Sequence, residues 1–334
     1  MMIKPVNVRA PGKIILSGEH AVTQGCPALA LAVSHFTKAS ISLDQAFQFH
    51  WQNLNVTSTY SLSQLQAFQG EKEKDYEKFK TGQLPIFSVL KNQEELAEYT
   101  VSSIVTQLKA IQGLNIQLSS DLPLGCGMGS SAALIAVLYA GIHHLHDKNW
   151  HFSEPDLQNM KSIESLQHGF SSGLDLQVSV LGGCHYFQQG KSVKVDFPNF
   201  PLYYVNTGMR EASSSSNIMD VQKRLAGQLT SFSKVTEAML QAIKDQHHQH
   251  FCTAMDENHQ LLIDLGVVPQ KVVNFIEVLQ SKGFSAKISG AGATCGSRAG
   301  LVLITGQGDP FEICRDQGYV CEKVIPDFSG VNYV

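Results

Sequence analysis

Asp121-Leu-Pro-Leu-Gly-Cys-Gly-Met-Gly-Ser-Ser-Ala-Ala133 carries glycine at alternate positions, Gly125, Gly127 and Gly129, and runs directly into an apolar stretch. Alternating glycines remove every second side chain, so the backbone turns tightly and brings its N–H groups close to an anion. From Ser131 to about His146 the sequence is apolar almost all round, through Ala132, Ala133, Leu134, Ile135, Ala136, Val137, Leu138 and Tyr139, the pattern of a buried helix. The loop therefore opens onto a helix N-terminus, where unpaired N–H groups and the positive end of the dipole favour phosphate. Ser130 and Ser131 add hydroxyls that can cap the helix or meet a metal. The spacing is neither that of a Walker loop nor the Gly-x-Gly-x-x-Gly of dinucleotide sites.

Around this loop lie 334 residues, 43% of them hydrophobic, enough for two ordinary domains or one large one. A net charge of −4 with scattered Lys and Arg excludes the basic footprint of a nucleic-acid or anionic-membrane binder and points to small-molecule partners. No apolar run approaches the roughly 18 residues of a membrane span. The start, Met1-Met-Ile-Lys-Pro5, has no signal-peptide core, so a cytoplasmic protein is expected. Seven dispersed cysteines without a Cys-x-x-Cys pair argue against a disulfide framework or a zinc site.

Before the loop, Val6–Leu16 reads as two short strands joined at Pro11-Gly12, with Lys13 opening the second. Glu19 and His20 are polar residues wedged between apolar segments and need partners or a ligand. Ala28–Val33 reads as a strand, Thr37–Leu43 and Ala46–Trp51 as paired strands, residues 71–80 as a solvated helix or loop, and Leu96–Ile111 as an amphipathic helix. Beyond the loop, Pro155 starts a helix whose stripe of Leu157, Met160 and Ile163 also takes in Glu164, turning that carboxylate inward. Asp175 heads an apolar segment after a glycine-bounded loop, a position open to an N-cap as well as to chemistry. His247, His248 and His250 read as an exposed connection between helices. Ala286–Ser297 joins a strand to a second glycine-rich turn.

Three of these segments together resemble the GHMP kinases, in the mevalonate kinase form of that family. The glycine loop is similar to their phosphate loop, Ala10-Pro-Gly-Lys13 with Gly18-Glu-His-Ala-Val22 to their first motif, and Ala286-Lys-Ile-Ser-Gly-Ala-Gly-Ala-Thr-Cys-Gly-Ser297 to their third. His168-Gly-Phe-Ser-Ser-Gly-Leu-Asp175 is similar to the segment that carries their catalytic aspartate, with Ser171 where proline is usual. Ala293 and Thr294 also replace glycines of the third motif.

The resemblance implies an α+β, two-domain GHMP kinase fold. Residues 1–188 would form a domain like the second domain of ribosomal protein S5, and 189–334 a ferredoxin-like domain, with the active site between them. It further implies ATP held by Ser120, Gly125, Cys126, Gly127, Met128, Gly129, Ser130 and Ser131, and Mg²⁺ held by Ser131 and Glu164. Asp175 and Lys13 would be catalytic, and Glu19, His20 and Arg210 would bind the substrate, mevalonate. Phosphomevalonate or homoserine kinase activity, or a silent ATP- or metabolite-binding sensor, are the alternatives, and a homodimer is left open.

Overall fold

The computed structural model describes residues 4–53, 55–209 and 215–334. In chain order the strands are β1 (Val6–Ser17), β2 (Ala28–Leu43), β3 (Phe47–Trp51), β4 (Val56–Tyr60), β5 (Leu114–Ser120), β6 (Cys184–Gln188), β7 (Lys191–Val195), β8 (Leu202–Asn206), β9 (Phe284–Ser289), β10 (Leu301–Gly306), β11 (Cys321–Lys323) and β12 (Asn332–Tyr333). The helices are α1 (Leu62–Lys80), α2 (Gln93–Leu108), α3 (Ser130–His146), α4 (Glu154–His168), α5 (Leu174–Leu181), α6 (Ser215–Ala226), α7 (Leu229–Lys244), α8 (His248–Leu265), α9 (Gln270–Ser281) and α10 (Phe311–Asp316).

Two sheets result. The first runs β12-β1-β2-β5-β3-β4, with β6 and β7 continuing from the start of β2; the second runs β11-β8-β10-β9. Residues 191–195 and 332–333 hydrogen-bond in the first sheet, although both lie beyond residue 188. No helix among the described residues is long and apolar enough to cross a membrane.

The core of the first unit forms around α3. Its residues 131–143 are all buried, which is why this helix carries no polar face. It packs on β1 and β2 below and is flanked by α2 and α5. Gly141 has a packing reason: a Cβ there would press on Ile41 and Val8. The second unit packs α8 and α9 on the inner face of its sheet, with Phe232, Leu262, Phe275, Ile276, Ile288 and Ile304 in its core.

Several local expectations are corrected. Val6–Ser17 is one strand, with a register shift between Pro11 and Gly12 in place of a turn. Gly12 serves close approach instead, because a Cβ there would collide with Leu122 and the Met128 carbonyl of the glycine loop. Residues 28–33 and 37–43 belong to one strand. β2 and β3 do not pair with each other; both flank β5, antiparallel and parallel respectively. The charged run at 71–80 ends a longer helix whose Lys72 is buried and paired with Glu95 at 2.8 Å. His248 opens α8 and its Nε2 lies 2.9 Å from Thr305 Oγ1.

Candidate active site

Lys13 lies on β1 directly after the close-approach glycine, so the glycine loop lies against its backbone. The Lys13 N–H donates to the Met128 carbonyl at 2.9 Å. Its buried ammonium donates to the Gly127 carbonyl at 3.1 Å and pairs with Asp175 Oδ2 at 2.9 Å. One side chain thus ties the glycine loop to α5. Asp175 sits in the first turn of α5, and the N-cap is Gly173, so capping is not its role. At that position the carboxylate gains from the positive end of the helix as well as from Lys13.

Glu164 points inward from α4, as its place on the apolar stripe requires, and is 3% exposed. Ser171 donates its hydroxyl to Glu164 Oε2, so the serine in the proline position of the motif makes a bond that proline would lack. Burial first, and then the negative charge of Asp175, push the Glu164 carboxyl up to about 8, against the opposing pull of Ser171, Lys13 and Lys161. The consequence for stability has a definite sign. Below the ordinary carboxyl range the group is protonated in both folded and unfolded chains. As pH rises from there towards about 8, the unfolded chain releases the proton and the folded chain retains it, so stability falls. Glu164→Gln removes that loss. In metal-free thermal melts its advantage over the parent is expected to grow as pH rises from the ordinary carboxyl range towards about 8. A pH-independent difference would mean that the carboxyl titrates normally.

Ser131, at the start of α3, has its Oγ 3.0 Å from His168 Nε2. Ser130 accepts from Gln93 Nε2 at 3.0 Å. The third-motif turn closes the other side. A Cβ on Gly127, whose φ is +92°, would lie 2.9 Å from the Ser289 carbonyl, and one on Gly300 would collide with the Cys126 carbonyl. Leu301 N–H donates to that same Cys126 carbonyl at 3.1 Å. The two glycine-rich loops are therefore packed backbone to backbone.

Glu19 is 1% exposed and ion-paired with the fully buried Lys287 of β9. His20, at φ 60°, places Nε2 3.0 Å from the Ala291 carbonyl. Lys13, Glu19, His20, Gly125, Cys126, Gly127, Gly129, Ser130, Ser131, Glu164 and Asp175 all line one cleft of about 480 Å³. Met128 is buried behind the loop. Ser120 is outside the cleft lining, its hydroxyl on Thr37 Oγ1 at 3.0 Å and accepting from Leu122 N–H at 3.2 Å. Arg210 lies outside the described residues. Sequence reasoning missed Gln93, His168 and Lys287 as site residues. His168 stood inside a quoted motif, whereas Gln93 had no signal.

Comparison with known proteins supplies the relatives of this arrangement. The family model for the GHMP kinases N terminal domain matches residues 94–183, and that for GHMP kinases C terminal matches 239–299. A mevalonate kinase from Pyrococcus horikoshii is 27% identical over 306 residues, covering 87% of each chain. The mevalonate kinase structure from Methanococcus jannaschii superposes with a TM-score of 0.76 at 19% identity, over 98% of each chain. The L. major mevalonate kinase in complex with R-mevalonate gives 0.71 at 18%, over 98% of this chain and 100% of that one. Two sheets, two family models matched in chain order and a glycine loop seated against the third-motif turn converge on a two-domain kinase fold, and the chain belongs to the GHMP kinase family.

Proposed function

We propose that this protein transfers the γ-phosphate of ATP to the primary hydroxyl of mevalonate, giving 5-phosphomevalonate and ADP, a step in making isoprenoid precursors. The observation that carries it is the Lys13 ammonium, held between the phosphate-loop carbonyl of Gly127 and the carboxylate of Asp175. A cation and a base are thus held together beside an anion cradle, the layout that phosphoryl transfer asks for. The 27% identity with the P. horikoshii mevalonate kinase, spread over most of both chains, supports the choice of alcohol. We also infer a division of the chain into residues 1–188 and 189–334, with β7 and β12 returning to the first sheet.

In this mechanism the loop Gly125–Ser131 and the start of α3 hold the ATP phosphates. Asp175 takes the proton of the substrate hydroxyl as its oxygen bonds to the γ-phosphorus and the bond to the β,γ-bridging oxygen breaks, ADP leaving with that electron pair. Lys13 offsets the negative charge that spreads over the transferring group. Glu19 and His20 orient the alcohol. The donor set fits Mg²⁺: the Ser131 hydroxyl and the Glu164 carboxylate are hard oxygen ligands, and a divalent cation would relieve the repulsion between Glu164 and Asp175. Ser131 and Glu164 would hold the ion, which when bound neutralises phosphate charge.

ATP-dependent ADP release measured with mevalonate, phosphomevalonate, homoserine and galactose tests the proposal. Turnover with mevalonate well above the other three is expected. Preference for another alcohol would replace the assignment, and release with none of them would leave only nucleotide binding.

A further inference from the structure

Behind the substrate end of the cleft lies a buried ion pair that phosphate chemistry does not use. Glu19 comes from the turn after β1 in the first sheet, and Lys287 from the middle of β9 in the second. The turn admits only glycine at its start: Gly18 has φ +92° and a Cβ there would collide with Pro27 and Ala28, and beyond it the Ala21 N–H folds back onto the Glu19 carbonyl at 2.6 Å. Lys287 and Ser289 are two apart on β9 and share a face. Both reach Ile15 on β1: Lys287 Nζ lies 3.4 Å from its carbonyl, and Ser289 Oγ lies 2.9 Å from its N–H.

The charge balance of this pair is unusual. Lys287 is 0% exposed, and a buried ammonium is costly unless paired. Burial lowers its proton affinity, and Glu19 is the partner that raises it again. Its neighbour His259 is held neutral, pushed down to about 4 by burial and by Lys287 itself. Of the two Glu19 oxygens, Lys287 takes Oε1; Oε2 is buried without a hydrogen-bond partner in a residue that lines the cleft. An unpaired carboxylate oxygen beside a binding cavity is an acceptor awaiting a donor.

We propose that Lys287 is a positioning residue for substrate recognition: it holds Glu19 by Oε1 and so leaves Oε2 to accept from a hydroxyl of the alcohol substrate. This rests on the assignment of the cleft to an alcohol phosphoryl acceptor. A carboxylate accepts and cannot donate, so the pair selects a hydroxyl-bearing ligand over one that presents another anion there. Selection is thereby placed on contact between the two sheets, because Lys287 belongs to the second and Glu19 follows a strand of the first.

A double-mutant cycle tests it, with KM for mevalonate and for ATP measured separately on the parent, Glu19→Gln, Lys287→Met and the double variant. Each single variant is expected to raise the mevalonate KM by about ten- to a hundredfold, with the ATP KM within about twofold of the parent. The double variant removes both buried charges, so it should melt closer to the parent than Lys287→Met does, while its mevalonate KM stays as high as in either single variant. If the double variant regains the parental mevalonate KM along with its melting temperature, or if both KM values move together, Lys287 is only a structural anchor and the proposal fails. Should Lys287→Met not fold, the double variant against Glu19→Gln still decides: a further rise in mevalonate KM on adding Lys287→Met means that the two residues act independently. A parent that turns over ATP with another alcohol overturns the mevalonate assignment, and the same cycle is then read on that alcohol. A parent that phosphorylates no alcohol sinks both.

Discussion

Asp175→Asn is expected to lower the single-turnover rate by roughly 10²–10⁴-fold, the usual range for loss of a general base. Asparagine keeps the size of the side chain and can still meet the Lys13 ammonium through its amide oxygen, but it has no place for the hydroxyl proton. The variant should fold, because Asp175 is at the cleft surface and is not the cap of α5. ATP and mevalonate affinities should stay near parental values, since the phosphate loop and Glu19 are untouched. One side effect is expected: without the Asp175 charge, Glu164 loses a source of repulsion and its carboxyl should titrate lower. Parental turnover in Asp175→Asn would remove the mechanism outright.

Gly127→Val should weaken ATP binding by about tenfold to a hundredfold. The sequence suggests a side chain intruding on the phosphates; the structure gives a different cause. The new Cβ would point at the Ser289 carbonyl only 2.9 Å away, and the backbone there has φ +92°, where a β-branched residue is strained by on the order of 1–3 kcal/mol. The two glycine-rich loops would have to separate, and the Lys13 bond to the Gly127 carbonyl would be displaced with them. Stability should fall together with nucleotide affinity. Titration with ATP, alongside a thermal melt, checks both; unchanged affinity would mean that this loop does not touch phosphate.

The tight glycine loop and the buried helix were legible because they follow from local rules: alternating glycines, then an apolar run with no polar face. Glu164 was legible for the same reason, being on the stripe of its own helix. What escaped depends on contacts made across the fold. Pro11-Gly12 looks like a turn in isolation, yet its glycine exists to admit Met128, more than a hundred residues away in the chain. Lys287 looks like an ordinary strand lysine, and its charge is paired by Glu19, 268 residues away in the chain. Strand partners were misjudged at β2 and β3 because alternation identifies a strand without saying what lies beside it.

The closing segment of the chain has a consequence for synthesis. Pro326 bridges to Val33 and Asp327 N–H donates to the Ala32 carbonyl, both on the interior strand β2, while β12 pairs with Val8 and Arg9 and covers the outer margin of the first sheet, so the sheet is finished by residues that follow the whole second unit. A ribosome making this protein exposes β1 first and must then translate some three hundred residues before the strand that covers it emerges. During that interval the edge of the sheet that carries Lys13 is open to pairing with other nascent chains. The first sheet, though begun first, is completed last.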